Sequence, residues 1–440
     1  MNASGHVAAL RFGLGPRPES PSPAGGREEA RAALLAQLGA PPDAAAPPEG
    51  WQADPTPDEI MGLTVLDRRD PLPRREGSRQ SQLFRAEARA YLARLVATPT
   101  PFRERLVAFW ANHLTVSRKK ATAAGFIGSY VRSAIRPHVT ASFGTMLKAA
   151  VRHPAMLQYL DQASSIGPDS QYGRHTGQGL NENLAREVME LHTLSPAAGY
   201  TQADVTEFAR VLTGLGVGRG SHPQPTVFRP GSHQPGTKVV MGQSFPPGPA
   251  SVDAALDWLA AHPATHRHLA AKLARHFVAD DPPPAAVRRL YSVLRDTGGD
   301  LGAVSREIVA LPEAWDPPLS KLRTPMELVV AAYRAFGAGA ESADAAYGAL
   351  GPLGQPLWAS EAPNGWPDTA AGWVHPEGMM LRLDRVHAIT GGYARQDARE
   401  ALERALGPLA SESTREAVLR AGSNREALTF LLGSPEFQRR

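Results

Sequence analysis

The sequence predicts a mainly α fold, a large multi-helix globular protein with one small β-hairpin. Three observations predict it. Apolar residues recur at helical spacing over most of the chain; Phe84, Ala88, Tyr91 and Leu95, at i, i+4, i+7 and i+11, share one face. Proline and glycine number 40 and 41 of 440 residues, above the usual ~12% combined, so many helix stops and long connections are expected. Only Thr226–Phe228 with Lys238–Met241, around the turn-rich stretch 229–237, reads as a hairpin.

In chain order, helices are expected over 27–39, 77–97 and 101–113, where Pro101 suits a first turn. Further helices are expected near 123–134, 143–151, 182–193, 202–213, 252–261, 265–278, 284–295, 300–309, 325–337, 376–387, 395–406 and 412–432. Three stretches read as loops. Pro41–Asp58 is rich in Ala and Pro, and Ser164–Gln178 is polar. Gly351–Ala371 is rich in Gly, Pro and Trp, and loops of that length are often functional. The segment SFPPGPAS at 244–251 suggests a boundary between an N-terminal part, 1–245, and a C-terminal part, 246–440, unless the two form one continuous domain.

Composition narrows the function classes. With 42% apolar residues, 20% charged residues and a net charge of +4, the chain can fill a core and lacks the lopsided charge of a disordered protein. The small excess of basic residues is spread out, so no nucleic-acid partner is expected. Cysteine is absent, which excludes disulfides, thiolate metal sites and a cysteine nucleophile. The opening residues MNASGHVAALRFGLG lack a charged start and an apolar core, so no signal peptide is expected and a cytoplasmic location is the default. No uninterrupted apolar stretch approaches the length of a membrane span.

The most informative stretch is 179–214. On a helical wheel Asn183, Glu187 and Glu190 fall on one stripe with Arg186 beside it, along the edge of an apolar face made by Leu184, Val188 and Leu191. A half-buried carboxylate pair pushes one pKa upward, as acid–base work requires. The same residues can instead form i, i+4 ion pairs on a solvated helix. Asp204 offers a third carboxylate, or it closes a capping box with Thr201. His113 shares an apolar helical face with Leu106 and Trp110, which suits a hydrogen-bonded core residue, a general base or a metal ligand. A cation site built from His113, Asp161, Glu187 and His233 is chemically allowed, although no spacing demands it. Trp358, Trp366 and Trp373 lie in or beside the late loop and could stack on sugar rings or plug a core. The alternating glycines from Gly214 to Gly220 match no phosphate-binding template, and no GxSxG elbow is present.

NENLAREVMELHTLS followed by GYTQADVTEFARVLTG resembles the signature of the bacterial domain-of-unknown-function family 1800. The resemblance runs from AALRFGLGPRP through FWANHLTVS, HPAMLQYLD, SHQPGTKVVMGQSF, LAAKLARHFV, SKLRTPMELVVAAYRAFG and APNGWPD to SPEFQRR, nearly the whole chain. It implies a helical protein with no established reaction. It implies that relatives are often exported and encoded beside sulfatase-like proteins, which makes an envelope polysaccharide or such a protein the expected partner. The family motif maps onto Asn181, Asn183, Arg186, Glu187, Glu190, His192, Thr193, Thr201, Asp204, Arg210 and Thr213, and onto His113, Asp161, His233, Lys238 and Trp366. The chain departs from it where His153 and Gln162 replace Asp and Asn, Ser195 replaces Gly, Leu215 replaces Trp, and Gln234 replaces Asp.

These readings converge on a hydrolase using paired carboxylates on a glycan or related envelope polymer. Glu187 would be the base or nucleophile, Glu190 the second carboxylate, Arg186 the electrostatic stabiliser, and His113 and His192 proton carriers or ligands. Asn183, Asp204, Trp366, His233 and Lys238 would bind substrate, and a divalent metal ion is a possible cofactor. The competing expectation is a non-catalytic envelope scaffold or binding protein whose polar motif is architectural.

Overall fold

The computed structural model describes residues 3–20, 25–41, 55–73, 77–218 and 226–440. Among these, 22 α-helices and two small antiparallel sheets form a mainly α protein, as the periodicity predicts. Much of the unusual proline content opens helices. Pro101, Pro154, Pro263, Pro284, Pro325 and Pro376 each begin one. The first helical position needs no N–H, and the fixed φ of proline already suits it. Thr201 and Asp204 form the expected capping box, and Thr324 with Glu327 forms another.

Several elements differ from expectation. The hairpin is replaced by two. Leu215–Val217 (β1) pairs with Thr226–Phe228 (β2), and Lys238–Val240 (β3) pairs with Gln243–Phe245 (β4). Met241 and Gly242 both have positive φ, at 48° and 82°. That pair makes the tight turn whose twist matches adjoining strands, so β3 folds onto the residues just after it rather than back onto β2. The expected helix 412–432 breaks at Ala421–Ser423 into Glu412–Arg420 and Asn424–Gly433, with Ser423 capping the second. Pro57–Arg69, Pro154–Tyr159, Gln171–Thr176 and Ala343–Leu350 are further helices. Of the expected loop Pro41–Asp58, residues 42–54 lie outside the described residues.

The segment expected as one helix over 182–193 is an α-helix, Asn183–Glu187, running into a π-turn, Val188–His192. The wider turn rotates the side chains that follow it off the 100° wheel. Thr193 Oγ1 donates to the Val188 carbonyl (2.6 Å) and the Ser195 N–H to the Met189 carbonyl (3.1 Å), closing it. Ser195 sits at φ 61°, ψ 160°, a conformation strained for any residue but glycine. This explains why glycine is the residue that the family resemblance leads one to expect there. His153, where Asp was expected, still caps its helix: Nδ1 accepts the Ala155 N–H at 3.1 Å.

Two helices, Pro101–His113 and Pro325–Ala335, run through the interior and are buried on nearly every side. They nevertheless carry Arg103, Glu104, Arg105, Glu327 and Arg334. Buried arginines stitch distant segments together. Arg334 donates to the Gly15 and Val96 carbonyls at 2.8 and 2.9 Å, Arg105 to Gly13, and Arg11 to Val278 at 2.8 Å. Contacts therefore run freely across the 245/246 position. Glu327 receives both Arg105 and Arg440, the latter through Nε at 3.0 Å. Burial alone would raise the Glu327 carboxyl, but the two guanidiniums outweigh it and hold it well below its ordinary 4.5. Its contribution to stability is thus complete above its unfolded-state pKa and is lost as pH falls through the lower folded value. Replacing Glu327 by Gln leaves buried Arg105 without its counter-charge and Arg440 with only Asp368, at 3.7 Å. Urea unfolding at neutral pH should show a loss of about 3–5 kcal/mol; a change within about 1 kcal/mol would show that the pairing is not structural.

Candidate functional site

A cavity of about 510 Å³ opens between the two interior helices, the helix Pro263–Phe277 and the loop 351–371. That size is typical of small-molecule sites. Its lining is largely apolar, with Tyr91, Leu95, Phe109, Val330 and Leu357 among the wall residues. Polar groups converge on it from three elements: Asn112 and His113; Lys272 and His276; Trp366 and Asp368.

The loop is held by unusually specific contacts. The Asn112 amide donates to the Trp366 carbonyl (3.0 Å) and accepts the Trp366 N–H (2.8 Å), so one side chain satisfies both backbone groups. Gly365 has φ +76°, and a Cβ there would come within 2.4 Å of the Asn112 carbonyl oxygen, so this close approach needs glycine. Ser117 Oγ donates to the Ser360 carbonyl at 2.7 Å, and Arg118 N–H to the Trp358 carbonyl at 2.8 Å. Trp358 packs on Tyr91 with ring centres 5.1 Å apart, and Trp366 lies beside Trp373 at 6.1 Å; both indoles are half-exposed.

On the opposite wall, His276 Nδ1 lies 2.8 Å from Asp368 Oδ2. Burial lowers the His276 pKa from 6.5, opposed by Asp368, so the ring is neutral at pH 7. A neutral ring facing a carboxylate carries its proton on Nδ1. Nε2 is then a lone pair, and it has no hydrogen-bond partner. Burial would raise the Asp368 carboxyl, but His276, Lys321 and Arg440 outweigh it and keep it ionised. Lys321 also pairs with Asp280, and Asp280 accepts the Ala370 N–H at 2.7 Å, which fixes the loop end that carries Asp368.

His113 follows the same logic. Its Nε2 donates to the His192 carbonyl at 3.1 Å, leaving Nδ1 as an unpartnered acceptor on a residue of the cavity wall. Burial, then Lys272, His268 and His192, push its pKa well below 6.5. Lys272 lies among these rings. Burial lowers its ammonium to about 8, against the pull of Asp368.

The residues expected from sequence fall in separate places. His113 and Trp366 line the cavity. His192 is fully buried behind His113, with ring centres 6.2 Å apart and neither ring nitrogen partnered. Asn183, Arg186, Glu187 and Glu190 lie outside the cavity lining, on the helix and π-turn. There Arg186 pairs with Glu182 at 3.0 Å, the i, i+4 reading, and also reaches Gln202. Glu187 is half-buried, and burial, then Glu190, raise its pKa above 4.5. Asp204 serves its capping box and accepts the Met241 N–H at 2.6 Å, tying its helix to the β3–β4 turn.

His233 and Lys238 form a third cluster. His233 Nδ1 donates to the Thr213 carbonyl at 2.7 Å, and its Nε2 accepts the Gly248 N–H at 3.0 Å. Lys238 is buried against His233 and the Gln234 carbonyl. Gln234, where Asp was expected, makes two bonds with Asp169. Asp161 pairs with Lys120 at 2.6 Å. The suggested cation set of His113, Asp161, Glu187 and His233 therefore does not assemble. Asp161 and His233 are already engaged, and among the described residues no group of three or more His, Asp or Glu is arranged to hold a metal ion.

Sequence reasoning missed Lys272, His276 and Asp368 as site residues. The signal was present: His268, Lys272 and His276 stand at i, i+4 and i+8, a polar stripe along HLAAKLARHFV. Among the described residues no helix is long and apolar enough to cross a membrane.

No curated protein and no solved structure matches the chain significantly. The model of the family described as "Protein of unknown function (DUF1800)" matches residues 7–439, nearly the whole chain. The protein belongs to the DUF1800 family.

Proposed function

We propose that the protein is a hydrolase that removes acyl ester groups from a glycan, with its reacting centre in the cavity beside Trp366. The observation that carries this reading is the Asp368–His276 pair, whose 2.8 Å bond to Nδ1 leaves the buried Nε2 lone pair without a hydrogen-bond partner, so that a small shift of the surrounding side chains lets water reach it as a base. In this mechanism His276 Nε2 takes a proton from water as the water oxygen bonds to the ester carbonyl carbon. The tetrahedral intermediate collapses, the carbon–alkoxy bond breaks, and the alkoxide takes the proton back from the imidazolium. Asp368 keeps the ring in the required tautomer and stabilises its protonated form.

Ester cleavage fits the cavity better than glycosidic cleavage. The latter needs a carboxylic acid that can donate a proton. Glu327 is locked ionised between arginines, and Asp368 is held ionised by His276, Lys321 and Arg440. A sugar partner is supported by the half-exposed Trp366 of the cavity lining, which offers an apolar stacking face.

Acetate release from acetylated xylan and 4-nitrophenyl acetate tests this. Asp368→Asn should lower kcat about 10²- to 10⁴-fold, because Asn favours the wrong histidine tautomer. Wild-type activity should fall as pH drops through the His276 pKa, with a midpoint below 6.5. No ester cleavage by the wild type, or an unchanged rate in His276→Ala, would reject the assignment.

A second reading keeps the chemistry at Glu187 and Glu190, as a glycosidase. It is favoured by the raised pKa of half-buried Glu187 beside Glu190. On this reading Glu187→Gln abolishes reducing-end release from a glycan panel and leaves the thermal midpoint unchanged or higher, since a repelled carboxylate is removed. Unaltered release would exclude it.

A further inference from the structure

The charges around the cavity do not balance. Glu327 is shared by Arg105 and Arg440. Asp280 is taken by Lys321, and Asp368 by His276 with Arg440 at 3.7 Å. Every carboxylate near this wall is thus committed. Lys272, in the cavity lining, has no carboxylate partner. Among the described residues it makes no hydrogen bond and no ion pair, although it is half-buried in the cavity lining. Its other neighbours are histidines held neutral by burial, His113 and His268, which cannot serve as counter-charge. Arg275, one turn along the same helix, is a further cation of the lining beside Lys272 and Arg105.

An unpaired ammonium in an apolar cavity is costly unless something arrives to pair with it. We infer that Lys272 is the anion-receiving group of this cavity, so that the substrate is an acidic sugar carrying a carboxylate or a sulfate ester seated against Lys272, with Arg275 nearby. The inference rests on the glycan hydrolase reading for its sugar part and on the charge arrangement for its acid part. Binding an anion there stabilises the charged amine, so complex formation at pH 8 takes up protons.

Isothermal titration of the full chain with cellobiouronic acid, cellobiose 6-sulfate, cellobiose and inorganic sulfate tests the inference. One or both acidic disaccharides should bind at least tenfold more tightly than cellobiose, and the stronger of the two names the anion. Proton uptake at pH 8 should appear as a heat that depends on the buffer. Lys272→Met should erase both the preference and the uptake; Lys272→Arg should keep the preference. Lys272→Met should also keep or raise the thermal midpoint, because an unpaired, half-buried charge is removed, which separates loss of binding from loss of fold. Cellobiose binding as tightly as both acids, or a preference surviving in Lys272→Met, overturns the inference. Sulfate alone matching the acidic disaccharides overturns its sugar part.

The two readings fail separately. Acidic disaccharides that bind through Lys272 while His276→Ala keeps ester cleavage would remove the hydrolase mechanism and leave the anion site. Cleavage that needs His276 but proceeds only on neutral glycans would do the reverse.

Discussion

The Glu327 carboxylate, buried between Arg105 and Arg440, is the interaction on which the arrangement of the site depends. It sits on the first turn of an interior helix and draws in guanidiniums from two other parts of the chain. Arg440 then reaches onward, donating to the His276 carbonyl at 2.8 Å and approaching Asp368. The helix that carries His276, the loop that carries Asp368 and the helix that carries Asn112 and His113 are thereby fixed around one centre of charge. A buried ion pair gains little net stability over an apolar replacement, but once built it is expensive to break. Here the network also sets which charges remain uncommitted. Its carboxylates are all engaged, and that leaves Lys272 and the buried Nε2 of His276 without partners.

Two histidines acquire a defined chemical character from single contacts. His276 meets a carboxylate through Nδ1, and His113 meets a backbone carbonyl through Nε2. Burial keeps both neutral, so the opposite nitrogen of each is an acceptor. Acceptors of this kind beside a half-exposed indole describe a pocket suited to hydroxyl-rich ligands and to proton removal. Asn112 matters indirectly: by clamping both backbone groups of Trp366 it sets the position of the loop and therefore of Asp368, two residues on.

Much of the fold was legible because helix starts are written locally. Thr201 with Asp204 signals a capping box, and Pro101 signals a first turn, whatever the rest of the chain does. The failures came where a local rule needed non-local information. The wheel drawn over 182–193 assumed a constant turn, and the π-turn at Val188–His192 breaks that assumption. β3 found its partner across the Met241–Gly242 turn, a pairing decided by two positive φ angles rather than by strand propensity. His113 and Trp366 were found because each is a conspicuous residue in an apolar or loop setting. His276 and Asp368 were passed over because their meaning lies in a contact between residues 92 apart. The Glu187–Glu190 stripe drew attention for its charge, yet its Arg186 partner turns to Glu182 instead.

The central claim is that Asp368 holds His276 as a neutral ring with its proton on Nδ1 and its lone pair on Nε2. Long-range ¹⁵N–¹³C correlation NMR reports tautomer and charge for each histidine, and comparison with His276→Gln identifies the signals of this one among 14. At pH 7.5 the account predicts a neutral Nδ1–H ring in the wild type that converts to the Nε2–H form in Asp368→Asn. A charged imidazolium in the wild type, or an Nε2–H tautomer before any substitution, would contradict it.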